Sequence, residues 1–294
     1  MNLNKVLLII SREYKAMVTS RTFIIITILI PVICLLGMYF GYHTTGHVEE
    51  TATAAPAGTD DPDLMRLGLW GIALAFVVYL FLLTYGAMIM NSVVEEKTNR
   101  VVEIIVSSCR PFELLTGKII GVGLAGLTQF GLWVALVVAG VVAVDASFLS
   151  AIFTPDVVPL LAYFVVYFIG GYLLYAAMFA AFGSAVDQAS DASQFTAPVI
   201  LLLLFALYVG MSAVDAPNSS VAVWGSIIPL TSPIVMLVRL PFGVPAWQIV
   251  LSIVLLLVCA VAVIWLAARI YRNGILHTGS KASFKQIFSW MKLR

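Results

Sequence analysis

Six long apolar runs divide the chain, at Thr22–Tyr42, Leu67–Met90, Ile119–Val144, Val157–Phe182, Phe195–Val214 and Ala246–Ala268. A helix needs about 20 apolar residues to cross a hydrocarbon core of roughly 30 Å, and each run reaches that length. None of the six contains Asp, Glu, Lys, Arg or His. They also lack the alternation of a barrel strand, so helices are expected, and helices satisfy every backbone polar group inside lipid.

The stretch Val221–Val244 is apolar enough to resemble a seventh crossing. It holds Pro229, Pro233 and Pro241, with Gly243 and Arg239. Prolines at that density break a continuous helix. The stretch is therefore expected to be re-entrant, dipping in from the outer face and returning. Such backbone persists at membrane depth only where it packs against protein or lines a wet cavity. The expected fold class is all-α integral membrane: six transmembrane helices, a cytoplasmic N-terminal amphipathic helix and a re-entrant outer segment between the last two spans.

Composition agrees with the pattern. The chain has 294 residues, 62% hydrophobic and 11% charged, with a mean hydropathy of +1.05. About a quarter of the residues of a soluble domain are charged. Too few charges remain here to cover a water-soluble surface, and no length is left for a soluble catalytic domain. The net charge of +1 gives no reason to expect a nucleic-acid partner. Cys34, Cys109 and Cys259 are scattered, with neither a disulfide framework nor a zinc spacing. The segment before Thr22 is mixed polar and apolar, so the first run is expected to stay as a span and not to be cleaved as a signal peptide.

The basic residues set the expected orientation. Lys5, Arg12, Lys15 and Arg21 precede the first span. Lys97, Arg100, Arg110 and Lys118 fall between the second and third, and Arg269, Arg272, Lys281, Lys285, Lys292 and Arg294 follow the last. With both termini cytoplasmic, 14 of the 16 basic residues lie inside. Arg66 and Arg239 are the exceptions. The expected location is the cell (inner or plasma) membrane, multi-pass.

Three polar segments invite a function. Residues 1–21 are amphipathic, with Leu3, Leu7, Ile10, Tyr14 and Met17 at helical steps. They suit either a simple membrane anchor or a link to a cytoplasmic partner. In the loop 91–118, Val94, Val101 and Ile105 recur at helical spacing, and Glu96, Arg100 and Glu103 are placed for intrahelical ion pairs. Pro111 suits the first turn of a second helix, with Glu113 near its positive end. This loop reads as a stiff cytoplasmic projection or as plain solvated chain. The tail 269–294 places Phe284, Ile287, Phe288 and Met291 on one face among basic residues, a pattern for a short helix on an anionic leaflet. The outer linker 43–66 is rich in Ala, Thr, Gly, Pro and acids and predicts no core of its own.

These motifs carry a resemblance. The run Glu95-Glu96-Lys97, then Asn99-Arg100-Val101-Val102-Glu103, Ser107-Ser108, Pro111-Phe112, Leu114-Leu115 and Gly117-Lys118 resembles the permeases of the type-two ABC exporters, especially the NatB-like branch. So does Pro229-Leu230-Thr231-Ser232-Pro233 with Met236, Arg239 and Gly243. The six-span plan of residues 22–268 matches too, so the likeness covers nearly the whole chain. It implies a transport subunit without its own ATPase site, whose cofactors, ATP and Mg, sit on a separate ABC ATPase subunit. The amphipathic helix and Glu95, Glu96, Arg100, Glu103, Pro111 and Glu113 would meet that subunit. Pro229, Thr231, Ser232, Pro233 and Arg239, within 221–244, would form the re-entrant outer segment. A second permease half, a copy or a related chain, would complete the path. Sodium is the substrate the resemblance offers, with lipid, peptide or hydrophobic drug as alternatives. NatB-like permeases often carry a large outer domain between the first two spans, where this chain has the short linker.

The residues bear on rival classes as well. A P-loop needs Gly-x4-Gly-Lys-Ser/Thr. At Gly117-Lys118-Ile119, Phe112 replaces the first Gly and Ile119 the hydroxyl. An ion-coupled secondary transporter or channel usually keeps ionisable residues within its spans. Gln129 and Gln248 are the clearest polar intrusions here, suited to interhelical hydrogen bonds. For an intramembrane enzyme, Ser212 has no histidine on any span to activate it. Arg239 is expected either to snorkel to the outer interface or to pair with a carboxylate or a substrate group.

Overall fold

A computed structural model describes residues 3–45, 62–98, 111–144, 155–186 and 189–274. All regular structure among them is helical. The helices are α1 (Leu3–Val18), α2 (Arg21–Thr45), α3 (Pro62–Thr98), α4 (Pro111–Val144), α5 (Val157–Ala185), α6 (Ala189–Asp215), α7 (Ser220–Ile227), α8 (Ser232–Arg239) and α9 (Ala246–Gly274), with a 3-10 turn at Leu240–Phe242. Five of them, α3, α4, α5, α6 and α9, are each long and apolar enough to cross a membrane. A sixth candidate is α2 taken together with α1, from which it bends by 59°.

The bend is built locally. Ser20 lies in the break between α1 and α2, and its hydroxyl accepts the Phe23 amide at 3.2 Å, capping α2. α2 then lies along α4 and leaves Ile24, Ile25, Ile28, Leu29, Val32 and Ile33 exposed. α9 bares Trp247, Val250, Val254, Val258, Val261 and Trp265 in the same way. Within lipid such a surface needs no cover, because acyl chains are as apolar as leucine.

α5 is the central post. It packs extensively against both α3 and α9 and buries Phe164, Tyr167, Phe168, Tyr172, Tyr175 and Phe179. Glycine permits the closest approaches. A Cβ on Gly183 would meet the Met90 carbonyl at 2.8 Å, and one on Gly171 would meet Pro233 Cβ at 2.8 Å.

Two helices turn out longer than the loop reading expects. α3 does not stop at the end of its apolar run but continues to Thr98, so Glu95, Glu96 and Lys97 sit on a span helix. The helix that Pro111 opens runs unbroken to Val144. Arg100, Glu103 and Cys109, the linker residues 46–61 and the tail from 275 lie outside the described residues.

Candidate functional site: a re-entrant pair and an ionic cluster

Residues 221–244 form two eight-residue helices instead of one span. Ser219 caps α7 by accepting the Ala222 amide at 3.3 Å. The chain turns through Ile228–Thr231, and Pro233 then sits in the first turn of α8, where its missing N–H costs no intrahelical bond. Thr231 closes the turn by donating to the Gly225 carbonyl at 2.5 Å. Ser232 Oγ reaches Pro229 O at 3.5 Å. At the tip, the Tyr175 hydroxyl donates to the Leu230 carbonyl at 2.6 Å. Tyr175 lies nearly two thirds of the way along α5 from Val157, so the pair penetrates deep into the bundle. α8 is buried along its whole length.

Arg239 ends α8 and is fully buried. It neither snorkels nor meets a carboxylate among the described residues. Its Nε donates to the Pro217 carbonyl at 2.8 Å, one terminal nitrogen donates to the Ser226 hydroxyl, and the other donates to Gln248 Oε1 at 3.1 Å. Ser252 Oγ donates to Ser226 O at 2.7 Å, extending the network onto α9. The guanidinium thus fixes the turn before α7, the last turn of α7, the end of α8 and the start of α9 to one another. Three neutral dipoles hold the charge, a role that suits the planar fork of Arg and not the point charge of Lys.

A second polar cluster lies at the opposite end of the bundle, where α1, α3 and α4 meet. α1 does not merely rest on a surface. A Cβ on Gly117 would meet Ile9 Cβ at 2.8 Å, and one on Gly121 would meet the Ile10 carbonyl at 2.9 Å. The buried face of α1 carries Val6 and Glu13, while Leu3, Leu7 and Leu8 point outward. Glu13 Oε1 accepts from Arg12 at 2.6 Å. Glu96 Oε1 accepts from Arg12 at 3.1 Å and from Lys118 Nζ at 2.9 Å. Lys118 has no exposed side-chain surface, and it also donates to Ser92 Oγ at 2.6 Å and lies 4.0 Å from Glu13. Glu96 Oε2 is buried with no hydrogen-bond partner among the described residues. The hydrogen bond with Glu13 holds the Arg12 guanidinium above its ordinary value; burial opposes this, and the charges of Glu13 and Glu96 add to it.

The two clusters sort the residues singled out by sequence. Pro229, Thr231, Ser232, Pro233 and Arg239 converge on the re-entrant pair. Glu96 and Lys97 turn inward, Lys97 donating to Ser184 O at 3.0 Å, and Glu113 is buried in the first turn of α4. Glu95 faces outward. Gln129 bridges helices by donating to Thr27 Oγ1 at 3.1 Å and accepting from Tyr85. Sequence reasoning missed the meeting of Glu13, Arg12 and Lys118. One signal was there: Glu13 shares a helical face with Val6, Ile10 and Met17, where an acid demands a buried partner.

Residues 68–269 match the family described as ABC-2 family transporter protein. The chain is an ABC-2 family member. The matched range takes in α3 through nearly all of α9, with both clusters inside it except for Arg12 and Glu13. Among curated proteins, the chain is 30% identical to the uncharacterized protein YhaP of Bacillus subtilis (strain 168) over 258 residues, 84% of this chain and 60% of that protein. It is 28% identical to the uncharacterized protein MJ1024 of Methanocaldococcus jannaschii over 219 residues, 74% of this chain and 52% of that protein. The ABC-2 chain described here therefore spans little more than half the length of these relatives. Family membership and the five to six candidate spans make it a multi-pass membrane protein of the ABC-2 transporter family.

Proposed function

We propose that the chain is the membrane subunit of an ATP-driven exporter of the NatB-like branch, working with a separate ABC ATPase subunit and a second permease half. The observation that carries this reading is the ABC-2 match over residues 68–269, joined to a sequence whose one Gly-Lys pair lacks the rest of a P-loop. The nucleotide and its Mg then belong to a partner chain. The end of the bundle that holds α1, Thr98 and Pro111 faces the cytoplasm, since most of the described Lys and Arg residues gather there. Glu95, outward on α3, with Arg100 and Glu103 beyond it, supplies the contact through which the partner pushes. Pro111 and Glu113 begin the helix that receives the push, and the re-entrant pair lies at the outer side of the path.

The test is to express the chain with its neighbouring reading frames and purify it through a tag. A stoichiometric ATPase subunit in the eluate is the expected result; a chain that moves solute with no such partner overturns the reading. In vesicles of the purified complex, substrate-stimulated ATP hydrolysis is then compared for sodium, lipid, peptide and hydrophobic drug. Replacing Glu95, Arg100 and Glu103 together by Ala should lower that stimulation at least about tenfold, the loss of roughly 1.4 kcal/mol of coupling. Unchanged stimulation removes the loop assignment while leaving the family membership intact.

A further inference from the structure

The described helices divide into two bodies. α1 and α2 pack on α4, through Gly117 against the Ile9 side chain, through Gly121 against Glu13 and the Ile10 backbone, and through Gly140 against Leu35 of α2. Tyr14 and Thr128, with hydroxyls 3.1 Å apart, and Gln129 with Thr27 join the same three helices. The other body is α5 with α3, α6, α7, α8 and α9, keyed by Gly183 on Met90, Gly171 on Pro233, and Lys97 on Ser184 O. Between the bodies, α4 meets α3, α5 and α9 over much shorter contacts. There Gly123 lies against the ring of Tyr172 and Gly126 against that of Tyr85, and the two hydroxyls donate across to Ile119 O at 2.7 Å and to Gln129 Oε1. Phe130 on Phe164 and Trp133 edge-on to Phe81 complete this seam. A seam of limited extent between two extensively packed bodies is where a small shear of helices can take place.

We propose that Glu96 is a latch across this seam. Glu96 and Ser92 belong to the α3 body, and Arg12, Glu13 and Lys118 to the α4 body. Two properties suit Glu96 to release. Among the described residues, both its cations sit on Oε1 while Oε2 is buried with no partner, so the closed arrangement leaves its desolvation incompletely repaid. Glu13, moreover, already bonds Arg12 at 2.6 Å and lies 4.0 Å from Lys118, within the α4 body. When Glu96 withdraws to water, Glu13 keeps both cations paired, so opening strands no buried charge. The cluster therefore supports two arrangements, one with Glu96 engaged and one with Glu13 holding the cations alone. α1, α2 and α4 then shift together, as one unit. The proposal stands apart from the exporter reading, because it concerns distances inside one chain and needs no nucleotide.

The experiment uses the full chain in phospholipid vesicles, with the three native cysteines replaced by Ala and pairs of spin labels placed by new cysteines. The pair Ser11→Cys and Thr98→Cys spans the seam from α1 to α3; the pair Ser11→Cys and Ile120→Cys lies within one body. All three positions are exposed. Glu96→Gln weakens the latch while keeping its shape. The expected result is a seam distance that broadens or shifts by about 2 Å or more, with the pair inside the α4 body unchanged. Arg12→Gln, at a largely exposed position, repeats the reading should Glu96→Gln fold poorly. If both distances stay fixed in the variant that folds, Glu96 is no latch. If the Ser11–Ile120 distance moves as well, α1 leaves α4 and the two-body division is wrong.

Discussion

The Tyr175 hydroxyl donates to the Leu230 carbonyl at 2.6 Å, tying the deepest point of the re-entrant pair to the central helix. The turn at Ile228–Thr231 leaves carbonyls without helical partners, and lipid offers none. Tyr175→Phe removes one hydroxyl and keeps the ring. It should lower stability by about 1 kcal/mol, the net value of one hydrogen bond, read as a lower unfolding midpoint in mild detergent. An unchanged midpoint would show that Leu230 O finds another donor.

Arg239 makes a sharper case. Arg239→Lys retains the charge but cannot reach Pro217, Ser226 and Gln248 at once. Arg239→Met removes the charge and fills similar volume. A buried charge that loses part of its hydrogen-bond shell typically costs several kcal/mol, whereas Arg239→Met removes the charge at the lesser cost of leaving Pro217 O and Gln248 Oε1 without their donor, about 1–3 kcal/mol each. The expected order of stability is therefore wild type, then Met, then Lys. Thermal unfolding of the three purified chains checks it, and a Lys variant as stable as wild type would mean that the charge alone matters.

The glycines divide by what surrounds them. Gly183→Ala drives a methyl group onto the Met90 backbone, which cannot yield as a side-chain tip can; the expected loss is about 1–3 kcal/mol. Gly131 has nothing within 4 Å of its ideal Cβ. There, Gly131→Ala should stabilise α4 by up to about 1 kcal/mol, through helix propensity alone. Opposite shifts in the unfolding midpoints of the two variants are the result to look for.

How far the sequence reveals this architecture depends on the range of the forces involved. The long apolar runs and the proline-broken stretch are local patterns, set by lipid and by the missing proline N–H, and α3 to α6 and α9 follow them closely. The continuation of α3 to Thr98 is less visible, because propensity does not say where a span leaves lipid. The partners of Arg239 are set by tertiary folding: Pro217 is 22 residues away and Ser226 is 13. Arg12 and Glu96 are 84 residues apart. No periodicity along one helix encodes such a meeting. Sequence reading pairs Glu96 with Arg100 along one helix, whereas packing turns it toward Lys118, 2.9 Å away on another.

The complete enclosure of Lys118 gives the chain a built-in chemical reporter. Amine-acylating reagents react with ammonium groups that water can reach, so Lys5 and Lys15, both exposed on α1, should be tagged within the first moments of contact. Lys118 should stay untagged for as long as its enclosure lasts. Its rate of acylation, followed by mass spectrometry of the digested chain, becomes a clock for how often that end of the protein lets water in.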